Sequence, residues 1–386
     1  MKRLALVCTI ALGMLAVAGC WDRREVNDMA IVVALGIDKE PDGKYRLAVQ
    51  VPLVSSLGGP SGGVGGTSGD KAYYVDSDVG VTIREANNRI QSRMSRHLYY
   101  AHHRIVIIGE QLAKEGFSKS LDIISRFPEN RLTAYIVMTK GRAVSLLQAK
   151  PQFERFSGEA IRELVKAETI PVTIKDISQM LNTPGTDAYL PIFEAVDTHP
   201  KGKSKEIEAQ GIGVFRGDKL VGTYSSEEAK GLHWFQRAFT PFSTLLNLGD
   251  GQRLSVFYQN GKADIEPVIT KGKVHFNIRV SASATIVENL SNYDLANLNV
   301  NEMIESKLAM DITNSIQKIF DRSKKLRSDT IGLGIALARH FPNAWQGNYR
   351  DRWDEEFPRV TCTIKSKVQI TTVGQTTTDI TKEDPR

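Results

Sequence analysis

The chain has 386 residues, 41% hydrophobic and 24% charged, with 31 Gly and 14 Pro; at roughly 150 residues per domain it should hold two or three domains, and collagen, a coiled-coil rod or a wholly disordered chain is excluded. Outside Leu4–Ala18 no apolar run approaches the ~18–20 residues of a membrane-spanning helix, Ile31–Ile37 and Ile331–Ala338 being too short, which excludes a polytopic membrane protein. The formal charge of +6 is mild, and Lys and Arg mix with Asp and Glu instead of forming a basic face, so nucleic acid is not an expected partner.

Lys2 and Arg3 precede the apolar stretch Leu4–Ala18, which closes in Val17-Ala18-Gly19-Cys20. Charged region, apolar region and small-residue cleavage site stand in the order of an export signal, and a cysteine directly after the small residues is the pattern of a bacterial lipobox. Residues 1–19 are therefore expected to be a lipoprotein signal peptide, and Cys20 the first mature residue, carrying diacylglycerol. An uncleaved anchor fits less well, because the 15 residues of Leu4–Ala18 rise only ~22 Å against a ~30 Å hydrocarbon core. Diacylglycerol supplies the two chains that stable anchoring requires. Cys8 would leave with the signal, so no intramolecular disulfide is expected, and Cys362, in the alternating Val360–Ile364, reads as a small core hydrophobe.

A polar segment, Trp21-Asp22-Arg23-Arg24-Glu25, follows the lipid site. Ile31–Ile37 and the alternating Tyr45, Leu47, Val49 and Val51 read as two strands joined by a turn at Pro41-Asp42-Gly43. Ser55–Asp70 is a Gly/Ser run with little to bury. Strand and helix patterns then alternate: Tyr73–Val75 extended, Val81–Met94 helical, Arg104–Ile108 extended, Leu112–Phe127 helical, Leu132–Thr139 extended, Ala143–Gln148 helical. This is α/β topology. The span 151–200 is rich in breakers and is followed by the basic Lys201–Lys205, so a domain boundary is expected there. Beyond it, Gly211–Phe215 and Lys219–Thr223 flank Arg216-Gly217-Asp218, and Asp264–Thr270 and Lys273–Val287 flank Lys271-Gly272, predicting two antiparallel hairpins. Val300, Ile304, Leu308, Ile312, Ile316 and Phe320 recur every four residues, an amphipathic helix whose apolar stripe should cover that sheet. Val360–Thr371 is a closing strand. The expected organisation is a mixed α/β (α+β) multidomain protein: an N-terminal α/β region over 20–200, two subdomains within it being one option, a C-terminal antiparallel sheet under a long helix over 206–372, and a polar tail over 373–386.

Candidate chemistry is sparse. Gly59-Pro60-Ser61-Gly62-Gly63 matches G-x-S-x-G, but no helix follows to form a nucleophile elbow. His97, His102 and His103 lack the convergent partners of a metal site and read as surface or strand-edge histidines. Gly332-Leu333-Gly334 lacks the third glycine and preceding strand of a dinucleotide fingerprint and reads as a close backbone contact. Arg89, Arg93 and Arg96 fall on one face of the predicted helix; this is a solvated face or a contact for lipid headgroups or an acidic partner. Arg216-Gly217-Asp218 is a turn, with Asp218 bonding its own backbone. The aromatics Phe341, Trp345, Tyr349, Trp353 and Phe357 are core or a partner-facing patch. No constellation of nucleophile, base and oxyanion donors occurs, so neither catalysis nor a metal or cofactor is expected.

Gly19-Cys20-Trp21-Asp22-Arg23-Arg24-Glu25 followed by Ile31-Val32-Val33-Ala34-Leu35-Gly36-Ile37-Asp38 resembles the start of the Ger(x)C lipoproteins, the C subunits of nutrient germinant receptors in spore-forming bacteria. The resemblance continues through His103–Glu110, Gly211…Phe215…Leu220-Val221-Gly222, Asp329–Gly334, and Trp345, Trp353 and Phe357, in the family's order over nearly the whole mature chain. Ser55–Asp70 departs from it in being more glycine-rich. The resemblance implies a non-catalytic receptor subunit of multidomain α/β fold, assembled with membrane-embedded A and B subunits and held by its Cys20 lipid on the outer face of the inner spore membrane. Trp21, Arg23 and Arg24, tethered beside the bilayer, become candidate membrane or partner contacts together with Arg89, Arg93 and Arg96. The alternative is a freestanding solute-binding lipoprotein of a transporter, which needs two lobes closing on a ligand.

Overall fold

The computed structural model of the chain describes Arg3 and residues 25–53, 72–127, 129–198 and 205–373. The strands of its N-terminal part are β1 (Met29–Ile31), β2 (Ala34–Lys39), β3 (Tyr45–Pro52), β4 (Tyr73–Gly80), β5 (His97–Tyr99), β6 (Ile105–Ile108), β7 (Tyr135–Met138), β8 (Tyr189–Asp197), β9 (Lys205–Arg216) and β10 (Lys219–Tyr224). Eight of them form one mixed sheet in the order β10-β9-β8-β7-β6-β2-β3-β4, and β1 pairs separately with β5. The four central strands β2, β6, β7 and β8 are parallel, while the two strands on either flank are antiparallel additions.

Parallel strands need crossover connections, and these put helices on both faces. β6 reads Ile-Val-Ile-Ile without polar alternation because every one of its side chains is buried. Val106 and Ile108 face the larger core, with α1 (Ile83–Gln91), α2 (Glu110–Glu115) and α3 (Ser118–Arg126); Ile105 and Ile107 face a smaller core with α4 (Ala143–Leu147) and α5 (Ser157–Glu168). The expected helix over Leu112–Phe127 is two helices, because Gly116, at φ +114°, ends α2 and turns the chain.

The breaker-rich span 151–200 carries regular elements of the first sheet and its helices. It holds α5, α6 (Ile174–Asn182) and the interior strand β8, with Pro171 just ahead of the Thr173 capping box that starts α6. Buried Gln50 of β3 ties it down: Nε2 donates to the Leu147 carbonyl (2.9 Å) and Ser157 Oγ (2.9 Å), while Oε1 accepts from the Gly158 N–H (3.0 Å). The sheet does not stop after residue 200, because β9 pairs with β8 and β10 with β9, so the first predicted hairpin extends the N-terminal sheet. Its Gly217 takes the expected positive φ of +57°. Asp218 caps a distant helix instead of serving its own turn, its carboxylate accepting from the Ser118 N–H (3.2 Å) and hydroxyl at the start of α3.

From β10 the chain passes through α7 (Ser226–His233) into a second sheet, β11 (Phe242–Gly249), β12 (Gln252–Thr270), β13 (Lys273–Leu290) and β14 (Thr361–Thr372), in that spatial order. β11, β12 and β13 are antiparallel as expected, but β14 is parallel to β13, the return of a crossover through α8 (Leu298–Leu326). α8 lays Ile304, Leu308, Ile312, Ile316, Ile319 and Phe320 on the sheet. Cys362 of β14 packs half-buried against this core, and burial pushes its thiol up to about 11, away from nucleophilic use. The larger core is continuous from the first sheet into the second.

Leu308 is fully buried and Met310, two residues on, is 58% exposed. Leu308→Ala should therefore cost about 2–5 kcal/mol in urea unfolding and Met310→Ala no more than about 0.5 kcal/mol. Equal losses would show that the stripe of α8 does not face the sheet.

Candidate functional site

Cys20, Trp21, Arg23, Arg24 and Ser61 lie outside the described residues, as do Ser55–Asp70 and most of the tail. The predicted arginine face does not form, because α1 ends at Gln91 and only Arg89 is helical. Arg93 folds back on β4, its guanidinium donating to Asp76 Oδ2 (2.8 Å) and Oδ1 (2.9 Å), to Asp78 Oδ2 (2.5 Å) and to the Ser77 carbonyl (3.0 Å). Asp78 is held below the usual carboxylate range by that guanidinium. Arg89 pairs with Glu85 (2.6 Å) one turn earlier. Arg96 is exposed beyond the helix, and its carbonyl accepts from Gln91 Nε2 (2.9 Å). Two of the three cations are thus neutralised, and the cluster works as a clamp between α1 and β4.

The histidines do not converge either. His97 and His102 are exposed, whereas His103 is buried, contrary to the surface reading, with Nδ1 2.7 Å from the Tyr100 carbonyl and its basicity lowered by desolvation. No group of three or more metal-ligating side chains occurs among the described residues, and no described helix is long and apolar enough to cross a membrane.

The densest polar arrangement is where the two sheets meet. α8 ends at Arg327, which adopts a left-handed conformation (φ +53°) and turns Ser328-Asp329-Thr330 inward. The carboxylate of Asp329, 1% exposed, accepts from the N–H groups of Gly332 (2.8 Å), Leu333 (3.0 Å) and Gly334 (2.8 Å) and from the Trp353 indole (3.0 Å). It thereby serves the free N–H groups that begin α9 (Leu333–His340). The Asp329 backbone reaches the loop before β8: its N–H donates to Asp187 Oδ2 (2.7 Å) and its carbonyl accepts from the Asp187 N–H (2.9 Å). Ser328 Oγ donates to the Phe215 carbonyl of β9 (2.6 Å), and Tyr224 of β10 shares its hydroxyl with Ser323 (2.7 Å) and Thr330 (2.9 Å). Gly334 meets Gly185 backbone to backbone, where a Cβ would stand 2.4 Å from the Gly185 Cα, the close contact expected of Gly332-Leu333-Gly334. Trp345, Tyr349, Trp353 and Phe357 are buried in the same body, so they are core; Phe341 is 37% exposed.

Burial pushes both carboxyls up, Asp187 to about 7 and Asp329 to about 6, with their backbone hydrogen bonds opposing the shift. The rest of the junction was missed in the sequence because Asp187, Phe215, Tyr224 and Asp329 are far apart in the chain. The Asp-x-x-Gly-x-Gly spacing before an apolar run was the available sign of a capped helix start.

Removing the Asp329 carboxylate leaves four buried donors unpaired, so Asp329→Ala should cost about 3–5 kcal/mol, and Arg93→Ala, at a pair open to solvent, about 1 kcal/mol; urea unfolding measures both. The raised Asp187 carboxyl binds its proton more tightly folded than unfolded. Its contribution is therefore whole below about pH 4 and is lost as pH rises towards about 7. Asp187→Asn should flatten the fall in stability over that window, and an unchanged slope would remove Asp187 from the account.

Residues 22–195 match the family described as "Spore germination protein N-terminal domain" and residues 210–374 that described as "Spore germination B3/ GerAC like, C-terminal". The break between them begins inside β8 and ends inside β9, two paired strands of the first sheet. The chain is 36% identical to spore germination protein YfkR of Bacillus subtilis (strain 168), over 94% of this chain and 97% of that one. It is 27% identical to spore germination protein KC of the same organism, over 97% and 96%. The crystal structure of the GerBC protein superposes with a TM-score of 0.58 at 19% identity, covering 87% of this chain and 96% of that one, so the two share a fold. The chain belongs to the GerAC-like family of spore germination proteins, a non-catalytic family, as the order of its motifs implied.

Proposed function

We propose that this protein is the lipid-anchored C subunit of a nutrient germinant receptor, acting in nutrient-triggered germination through assembly with membrane-embedded A and B subunits. The observation that carries the reading is that two spore-germination families match the chain in series, beginning at residue 22, two residues after the lipobox cysteine. Diacylglycerol on Cys20 would hold the protein on the outer face of the inner spore membrane. Glu25 stands five positions after Cys20, so the folded body would begin within about 18 Å of the lipid, at ~3.5 Å per residue. Trp21, Arg23 and Arg24 fall within that reach and are the residues that would meet headgroups or a partner, each basic charge contributing ~1 kcal/mol beside an anionic leaflet. A freestanding solute-binding lipoprotein is disfavoured, because the second unit is a four-stranded sheet under one long helix and not a second α/β lobe.

The deciding measurement is loss of spore refractility after nutrient addition, in a strain whose only receptor carries this protein as wild type or as Cys20→Ala, with calcium dipicolinate as a receptor-independent trigger. Mutant spores should ignore nutrients and answer calcium dipicolinate. Normal nutrient germination of both the Cys20→Ala strain and a deletion strain would overturn the reading.

A further inference from the structure

The outer strands β4 and β14 end their sheets differently. At β4 the edge is closed by nearby side chains: the N–H groups of Ser77 and Val79 donate to the carboxylates of Asp76 (2.8 Å) and Asp78 (2.7 Å), and the Ser77 carbonyl accepts from Arg93 (3.0 Å). β14 is longer, at 12 residues, and its middle is open. Residues 361–370 pair with β13 in unbroken parallel register, so alternate residues turn their backbone groups away from the sheet. The Ile370 N–H, which donates to Glu305 Oε1 (2.8 Å), fixes the outward set as Cys362, Ile364, Ser366 and Val368. None of the outward N–H and C=O groups of these four has a hydrogen bond among the described residues. α8 closes both ends of the stretch, Glu305 at Ile370 and Lys324 by donating to the Val360 carbonyl (2.8 Å). An open row of this kind is a template for another strand.

The side chains beside the opening specify what fits. Ser366 meets Thr313 of α8 (2.9 Å), so the even-numbered residues face the helix and Lys365 and Lys367 stand exposed on the other face. Neither lysine has an ion pair among the described residues, whereas Arg279, across from Lys365 on β13, is paired with Glu266 (2.9 Å). On the helix side Cys362, Ile364 and Ile370 pack against the core but are only partly buried, which leaves apolar surface for an added strand to cover. A fitting strand therefore carries acidic side chains on one face and apolar ones on the other. Charge opposes a second copy of β14, because two antiparallel copies centred on Ser366 set Lys365 against Lys367. The chain's own residues 374–386 would have to turn back after Val373 and begin pairing at Ile370, whose outward N–H Glu305 already holds.

We propose that residues 361–369 of β14 are a docking edge for an extended acidic segment of another protein, which adds to the second sheet as a fifth strand with carboxylates opposite Lys365 and Lys367. The lysines select this partner by repelling basic strands as well as by attracting acidic ones. The inference goes beyond the receptor reading and does not depend on it.

The probe is the peptide acetyl-Thr-Glu-Val-Glu-Val-Glu-Val-Thr-amide, with a Lys-for-Glu version and a shuffled version as controls, added to the full-length protein in detergent micelles. Fluorescence anisotropy of the labelled peptide gives the affinity, and hydrogen–deuterium exchange over 361–370 reports whether backbone pairing forms. The Glu peptide should bind one to one and at saturation should slow exchange of the Cys362, Ile364, Ser366 and Val368 amides. Both controls should bind about tenfold more weakly or worse. Lys365→Glu combined with Lys367→Glu should reverse the preference in favour of the Lys peptide, and because both side chains are exposed the thermal midpoint should not move. Ser366→Pro, which removes an N–H that the sheet does not use, should abolish binding. Absence of saturable binding, binding without slower exchange over 361–370, or a preference that survives the charge reversal would overturn the proposal. Binding that appears only after deletion of 374–386 would overturn it in favour of that segment, and a dimer that Ser366→Pro dissolves would overturn it in favour of a second copy.

Discussion

A single buried carboxylate organises the meeting of the two sheets. Asp329 gathers three backbone N–H groups and an indole N–H at the start of α9, while its own backbone exchanges hydrogen bonds with Asp187 in the loop before β8. A charge desolvated this thoroughly is tolerable only when every lone pair is served, and removing one partner costs more than the intact set contributes. The constraint therefore reaches outward. Gly185 and Gly334 must lack side chains, Trp353 must point inward, and Arg327 must turn in the left-handed region so that α8 stops one residue before the corner. Ser328 and Tyr224 then fasten the same corner to β9 and β10.

The junction makes one continuous body of parts that match two separate family descriptions. β9 and β10 pair with the N-terminal sheet while following it in sequence, and the larger core passes from one sheet to the other without a break. A force or displacement at the second sheet would be felt at β8 and β9 through direct hydrogen bonds.

Much of the local structure was legible. The four-residue spacing of Ile304, Leu308, Ile312 and Ile316 gave α8 and its buried face, because a helix on a sheet needs one apolar stripe. Arg104–Ile108 read as a strand, and the structure covers its Ile105–Ile108 on both faces. The errors were of one kind, a local signal displaced by a distant partner. The breakers of 151–200 and the basic run after them read as a domain boundary, yet β8, inside that span, pairs with β9 beyond it. Arg89, Arg93 and Arg96 read as one basic face because helical periodicity was carried past Gln91, and Asp76 and Asp78 on β4 took Arg93 instead.

By itself the sequence determined the order of most strands and helices, the scarcity of catalytic constellations, and the likeness to a family of spore germination proteins. These are all encoded in neighbouring residues or in fixed order along the chain. Only the tertiary structure decided that β9 and β10 belong to the first sheet, that β14 runs parallel to β13, and that Asp329 and Asp187 meet. Each of those depends on desolvation and hydrogen bonding between residues far apart in the chain, where periodicity and turn chemistry carry no information.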